Sequence, residues 1–255
     1  TPQKYTALTG ARVLTGREAV GLNAAAKTVT AKNLTSGETE TYEYDSLIIA
    51  TGASSVIPPI EGAAQQGVFK LRTPDDAIAL RGYLEQNAAK KAVVIGGGFI
   101  GLEAAENLLA QGLGVTVIDV AGQIMPGVLD AEMADFARKK LQATGIRVMT
   151  GTAAQAILGD GRVTAVKTEA GTLPADVVVM SAGIRPNTAF LEGSGLEMVK
   201  GTIPVDGQLR TNLPNVYAAG DCALVTNRLT GAAQWSPMGS SANMEGRTLA
   251  LALTG

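Results

Sequence analysis

Histidine is absent from the 255 residues of this chain, and cysteine occurs once, at Cys222. The usual zinc sites need several His or Cys ligands, and an internal disulfide needs two cysteines, so neither is predicted. The same absences exclude Ser-His-Asp and Cys-His catalysis within the chain. We therefore assign no catalytic residue and no metal ligand to this sequence.

Charge and long apolar runs are also scarce. Charged residues make up 17% of the chain, the formal net charge is −2, and the basic residues are scattered. Such a composition offers no basic surface to nucleic acid or to anionic lipid. No apolar run reaches the roughly 20 residues of a membrane helix, and no leader pattern opens the chain. We expect no nucleic-acid or membrane partner and, by default, a cytoplasmic location.

The residues that are abundant indicate an α/β fold. Apolar residues account for 46% of the chain, glycine for 31 positions and aromatics for 4%, which is typical of globular proteins. Residues 91–95 and 114–119 are predicted as parallel strands because a helix that ends near residue 111 joins them. A further helix over residues 131–143 is predicted to bury one apolar face. That face consists of Met133, Phe136, Ala137 and Leu141.

The segments on either side of this block belong to a different pattern. Residues 12–44 alternate like a small antiparallel meander. Apolar strands that end in glycine, at residues 48–52 and 216–220, have no obvious place in the sheet of the block. We therefore predict one domain, residues 68–201, inserted into another that is formed by residues 1–67 and 202–255.

The glycine-rich turn after the first strand of the block fits a dinucleotide-binding fingerprint. Residues 96–101 satisfy G-x-G-x-x-G, and Asp119 closes the next strand about 20 positions later, as the fingerprint requires. Gly96 makes the tight turn, Gly98 lets the backbone approach a pyrophosphate, and Gly101 allows helix and strand to pack. The alternative is a glycine turn with a purely structural role.

Asp119 bears on the choice of nucleotide. Its carboxylate can accept both ribose hydroxyls of an adenosine, whereas the 2′-phosphate of NADP would need a cation there. The sequence therefore favours NAD. The alternative is that Asp119 caps the turn at residues 121–122.

Four segments of the chain together form a recognisable pattern: Ala50-Thr51-Gly52, Val94 to Glu103, Ala182 to Asn187 and Val216 to Asp221. Their order and rough spacing resemble those of the pyridine nucleotide-disulfide oxidoreductases. Residues 236–247 also resemble the coenzyme A-disulfide reductase and NADH oxidase branch of that family. The resemblance covers nearly the whole chain. It implies an α/β fold in which a Rossmann-like NAD-binding domain is inserted into a partial FAD-binding domain with a small antiparallel β meander.

The resemblance also implies roles around the nicotinamide. Phe99 stands where many relatives carry a Tyr that gates the nicotinamide pocket, and Ile100 follows it in the turn. Glu103 matches a glutamate near the nicotinamide amide, and Gly183 and Ile184 would line the ring by their backbone. For Glu103 the alternative is an acid stabilised by the positive start of a helix.

On the FAD side, the resemblance implies that Asp221 binds the ribityl chain, with Gly220 and Cys222 alongside. The turn at residues 50–52, formed by Ala50, Thr51 and Gly52, would touch the ADP part of FAD. The alternative for Asp221 is a turn cap. A single cysteine just after a glycine turn is most simply a small buried residue, so Cys222 is interpreted as structural.

Relatives in this family begin with their own FAD fingerprint and a redox-active cysteine, and they end with a dimerisation domain. The sequence contains none of these three features. The resemblance therefore implies a central fragment that binds NADH, holds FAD weakly or not at all, and is inactive alone. It also implies a redox cysteine upstream and a homodimer of the intact protein.

The function expected of the intact protein is FAD-dependent NADH oxidation. Hydride would pass from NADH to flavin and onward to a cysteine-based disulfide or persulfide acceptor, or to oxygen. One alternative is an NADH flavin reductase of the ferredoxin or rubredoxin type. Another is a non-catalytic dinucleotide-binding module, which would leave Asp221 and the residue 50–52 turn unexplained.

Overall fold

The structure is a computed structural model that describes residues 1–254. Its helices are α1 Pro2–Thr9, α2 Pro74–Asn87, α3 Phe99–Ala110, α4 Ala131–Ala143 and α5 Gly239–Thr254. Its strands are β1 Arg17–Asn23, β2 Thr28–Asn33, β3 Thr39–Glu43, β4 Leu47–Ile49, β5 Ala53–Ser55, β6 Val68–Lys70, β7 Lys91–Ile95, β8 Gly114–Ile118, β9 Arg147–Met149, β10 Ala154–Gly159, β11 Val163–Thr168, β12 Gly171–Pro174, β13 Val177–Met180, β14 Ile184–Pro186, β15 Ile203–Pro204, β16 Val216–Ala218, β17 Ala223–Thr226 and β18 Ala233–Gln234.

The chain divides into two compact units. The first contains residues 1–53 and the chain from residue 186 onward, and the second contains residues 54–185. The second unit therefore starts and ends earlier than the insertion predicted over residues 68–201. The reason is packing: Ile60 and Ala63 pack against a core cluster of the second unit, and Leu191 and Leu196 are buried in the core of the first.

The second unit is built on a five-stranded parallel sheet in the order β6-β13-β7-β8-β9. Its central strands are rich in Val and Ile because both faces are covered. Val94 and Val117 face the cluster that α2, α3 and α4 complete. Val93 and Ile118 face the opposite cluster, beneath the antiparallel meander β10-β11-β12. The predicted parallel pair of strands and the α/β class are confirmed.

Helix α4 buries a different face from the predicted one. Met133 is 50% exposed and Phe136 is 55% exposed, whereas Ala134 and Leu141 are buried. Ala137 is partly buried against the same cluster. The contact stripe thus runs through positions 134, 137 and 141, one residue away from Met133 and Phe136. Hydrophobic spacing fits both stripes, so it could not separate them.

The first unit contains three small sheets and α5. Strands β1, β2 and β3 form the predicted antiparallel meander. Strands β4 and β16 pair in parallel, with Leu47 opposite Val216 and Ile49 opposite Ala218. Strand β17 pairs with β15 and with β18.

Among the described residues, no helix has both the length and the apolar character needed to cross a bilayer. Within residues 1–254, no three His, Cys, Asp or Glu side chains are grouped so that they could hold a metal ion.

Candidate cofactor sites

The predicted glycine turn joins β7 to α3 in the second unit. Strand β7 ends at Ile95, and α3 begins at Phe99 with Gly98 as its N-cap. No side chain caps this helix start. The first backbone amides of a helix have no partner within the helix, and they favour an anionic ligand. The turn therefore has the local structure of a phosphate site.

The glycines of this turn are required for different reasons. A Cβ on Gly101 would lie 1.9 Å from the carbonyl oxygen of Gly96, and a Cβ on Gly96 would lie 2.1 Å from that of Ser181. Gly96 also has a φ of +114°, which other residues rarely adopt. A Cβ on Gly98 would meet nothing within 4 Å. Gly96 and Gly101 thus serve packing, whereas Gly98 leaves open space over the turn, which fits a pyrophosphate.

Asp119 lies just beyond the end of β8 and holds two backbone segments. Its Oδ2 accepts from Gly97 N at 2.6 Å, and its Oδ1 accepts from Ala121 N at 2.7 Å. The second bond is the turn cap considered above as an alternative role. A carboxylate has about four acceptor positions, so two bonds leave capacity for ribose hydroxyls. The capping role and a ribose-binding role are therefore compatible.

A cavity of about 370 Å³ lies over the turn, within the second unit. Its lining includes residues that the fingerprint did not identify. Ser181 directly follows β13, and Thr152 follows β9. Position alone could have identified both, because ligands bind beyond the carboxyl ends of strands in open parallel sheets. Five predicted NAD residues line this cavity, namely Gly96, Gly98, Phe99, Asp119 and Gly183.

The other predicted NAD residues lie elsewhere. Gly101 is buried at the start of α3. Ile100 and Glu103 line a larger groove of about 730 Å³ between α2 and α3. Ile184 begins β14, which pairs with β5 where the chain connects the two units. The structure thus brings the residues predicted to bind the phosphates and the ribose to one cavity, and all of the predicted NAD-binding roles stay predictions.

In the first unit, a cavity of about 420 Å³ lies beside the carboxyl ends of β4 and β16. Its lining includes four of the predicted FAD residues: Ala50, Gly52, Gly220 and Asp221. Gly52 has a φ of +67° and Gly220 a φ of +78°, so both positions favour residues without a Cβ. Exposed backbone beside a carboxylate that can accept from hydroxyls fits a polyol such as the ribityl chain of FAD.

Thr51 and Cys222 do not line this cavity. Cys222 has no exposed surface, and its Sγ lies 3.4 Å from the carbonyl oxygens of Ile49 and Ala219. Burial raises the pKa of its thiol, although hydrogen bonds from Thr51 and Gly52 oppose the shift. The thiol therefore stays protonated near neutral pH, unlike a reactive cysteine.

Two side chains that sequence reasoning assigned to no site contact the Gly220-Asp221 turn. Glu245 Oε2 accepts from Gly220 N at 2.6 Å, and Trp235 Nε1 donates to the carbonyl oxygen of Asp221 at 2.9 Å. Burial raises the pKa of Glu245, the Gly220 amide lowers it, and the nearby charge of Asp221 raises it further. Glu245 lies in the segment 236–247, and Trp235 directly precedes it. The resemblance of this segment to relatives was the feature of the sequence that could have identified both residues.

Comparisons with known proteins agree with this architecture. The sequence profile described as pyridine nucleotide-disulphide oxidoreductase matches residues 4–241. NADH oxidase of Methanocaldococcus jannaschii is 41% identical over 204 residues, which cover 80% of this chain and 46% of that protein. The NAD(P)H sulfur oxidoreductase (CoA-dependent) of Pyrococcus abyssi is 38% identical over 209 residues, with 81% and 46% covered.

A solved structure shows the same similarity. An NAD-dependent persulfide reductase from A. fulgidus aligns with a TM-score of 0.92 and 37% identity, over 100% of this chain and 47% of that one. The chain therefore spans about half the length of the curated relatives that it matches.

Proposed function

The chain belongs to the pyridine nucleotide-disulphide oxidoreductase family, and on that premise we propose that the intact protein that contains it is an FAD-dependent NADH oxidoreductase. NADH supplies a hydride when bound, and FAD takes it up; the final acceptor is a cysteine-based disulfide or persulfide, or oxygen. The names of the relatives, NADH oxidase and CoA-dependent sulfur oxidoreductase, support this range of acceptors. A cytoplasmic location and a homodimer of the intact protein are part of the proposal.

The second unit holds NADH in this proposal. The observation that carries it is the cavity in which Gly96, Gly98 and Asp119 meet at the carboxyl ends of a parallel sheet. The uncapped start of α3 binds the pyrophosphate, and Asp119 accepts from the ribose hydroxyls. Phe99 covers the nicotinamide end, with Gly183 against the ring. These residues would bind and orient the nucleotide.

The first unit holds FAD in this proposal. Asp221 accepts from hydroxyls of the ribityl chain, while the backbone at residues 50–52 and Gly220 allows close approach. Cys222 supports the turn from the buried side and takes no part in electron transfer. NADH added without oxygen should therefore bleach the flavin absorbance of the FAD-loaded protein.

The test of the nucleotide site is Gly98→Ala, because a Cβ there meets open space and Gly98 has a φ of −85°. We expect the free energy of unfolding to change by less than about 0.5 kcal/mol. The Kd for NADH, measured by calorimetric titration, should rise about tenfold or more because the methyl group occupies the pyrophosphate position.

The matched control is Gly82→Ala in α2, where an added Cβ also meets nothing within 4 Å. This variant should bind NADH like the unchanged protein and gain up to about 1 kcal/mol of stability from helix propensity. Equal NADH affinity in both glycine variants would contradict the assignment of the turn.

NADPH should bind more weakly than NADH to the unchanged protein, because Asp119 faces the position of its 2′-phosphate.

A further inference from the structure

The Gly220-Asp221 turn leaves the sheet with backbone groups that strand pairing does not satisfy. The β4-β16 ladder ends where Ile49 pairs with Ala218, and Ala219 N donates to the carbonyl oxygen of Ile49 at 3.0 Å. Beyond that point the chain forms a short 3₁₀ turn over Gly220–Cys222. Buried backbone groups need partners, and here two of them come from side chains.

The two side chains hold the backbone on either side of the Asp221 Cα atom. Upstream of it, Gly220 N donates to Glu245 Oε2 at 2.6 Å. Downstream, the carbonyl oxygen of Asp221 accepts from Trp235 Nε1 at 2.9 Å. Together the two bonds restrict the backbone around Asp221, and with it the direction in which the Cα–Cβ bond of Asp221 leaves the chain.

Neither Glu245 nor Trp235 lines the 420 Å³ cavity, although Asp221 and Gly220 do. On α5, Ala242 and Gly246 line the cavity, while Glu245 between them contacts the turn. A residue in this arrangement acts on a ligand through the turn rather than by touching it. We propose that Glu245 and Trp235 are positioning residues that hold the Gly220-Asp221 turn, and with it the Asp221 side chain, in place at the cavity; this inference rests on the proposed FAD site.

The chemistry of Glu245 makes the inference specific. Its contribution is an acceptor oxygen for the Gly220 amide, and a carboxamide offers the same oxygen without the charge. Glu245→Gln should therefore retain the position of the turn, whereas Glu245→Ala leaves the Gly220 amide without its acceptor. Trp235→Phe keeps an aromatic ring but removes the indole N–H that donates to the carbonyl of Asp221.

The experiment uses the intact protein that contains this chain and measures FAD binding by quenching of flavin fluorescence, together with the visible circular dichroism of the bound flavin. We expect about a tenfold or larger rise in the FAD Kd for Glu245→Ala, a smaller rise for Trp235→Phe, and a Kd within about twofold for Glu245→Gln. The flavin dichroism should change in Glu245→Ala and Trp235→Phe and be preserved in Glu245→Gln.

Met244→Ala is the matched control, since Met244 is the neighbouring residue on α5 and is 70% exposed. It should leave FAD binding and the flavin dichroism unchanged. If all variants bind FAD equally well with the same dichroism, the inference is wrong while the FAD site stands. If Glu245→Gln is as weak as Glu245→Ala, the acceptor role is wrong. If the unchanged protein binds no FAD, both the proposed FAD site and the inference fail.

Discussion

The carboxylate of Asp119 uses its two oxygens separately. One accepts from Gly97 inside the glycine turn, and the other accepts from Ala121 in the following loop. The side chain thus connects the glycine turn to the loop that borders the same cavity. Any ribose contact would be added to this arrangement, so nucleotide binding and local stability are coupled at this residue.

Asp119→Asn should therefore be costly even without nucleotide. A carboxamide has one acceptor oxygen, so one of the two amides would face an NH₂ group instead of an acceptor. We expect the free energy of unfolding, from urea denaturation, to fall by about 1–3 kcal/mol. The Kd for NADH should rise in the same variant.

Asp176→Asn provides the matched control. Asp176 accepts from Lys90 N and Lys91 N through Oδ2 alone, at 2.8 and 2.9 Å. An asparagine can place its carbonyl oxygen in that position and keep both bonds. A loss of stability in Asp176→Asn as large as that in Asp119→Asn would contradict the two-oxygen argument.

The residues around the glycine turn at 96–101 could be predicted because the sequence patterns that identify them are local. The strand-glycine-helix pattern at 91–101 and the acid at 119 fall within one βαβ unit. Thr152 and Ser181 join the same cavity from strands far along the chain. Glu245 contacts Gly220 across 25 positions. Such contacts depend on tertiary structure, which periodicity does not encode.

At the scale of elements, the predicted pair of parallel strands, β7 and β8, is confirmed. Their apolar residues are buried because helices cover one face of the sheet and a meander covers the other. The prediction of the buried face of α4 was wrong. Two stripes of apolar residues lie one residue apart on this helix, and hydrophobic spacing fits both of them. Strand β6, which has three residues, showed no alternation that could have identified it.

We expect the stability of the meander in the first unit to depend on pH through the side chain of Glu40. Glu40 on β3 forms an ion pair with Arg17 on β1, with Nε and Oε2 2.8 Å apart, and also accepts from Tyr42 and Asn33. The Arg17 hydrogen bond, followed by that of Tyr42, lowers the pKa of Glu40 from 4.5 to about 2. This group is protonated more readily in the unfolded chain than in the folded one.

The contribution of Glu40 to stability should therefore be present above pH 4.5 and be lost as the pH falls toward about 2. We expect an NMR titration of its side-chain carboxyl carbon to give a pKa near the lower value. Tyr42→Phe should raise that pKa because one hydrogen bond to the charged form is removed. A Glu40 pKa near 4.5 in the unchanged protein would show that the ion pair does not persist in solution.

At the scale of the whole molecule, each unit has its own core. The second unit buries two clusters on opposite faces of its sheet, and the first unit buries a separate cluster that includes Ile203, Val216 and Leu249. The insertion of one unit into the other was predictable from the two strands left over by the βαβ block. The boundaries were not, because the connecting residues carry no periodic pattern.

Separate cores and separate cofactor sites predict separate responses to ligands. In differential scanning calorimetry we expect one unfolding transition for each unit, since each core can unfold as its own cooperative block. NADH at 100 times its Kd should stabilise the second unit by about 2.7 kcal/mol and leave the other transition in place. Gly98→Ala should remove that shift at the same NADH concentration, while Gly82→Ala should retain it. An equal shift of both transitions by NADH alone would contradict the assignment of NADH to the second unit.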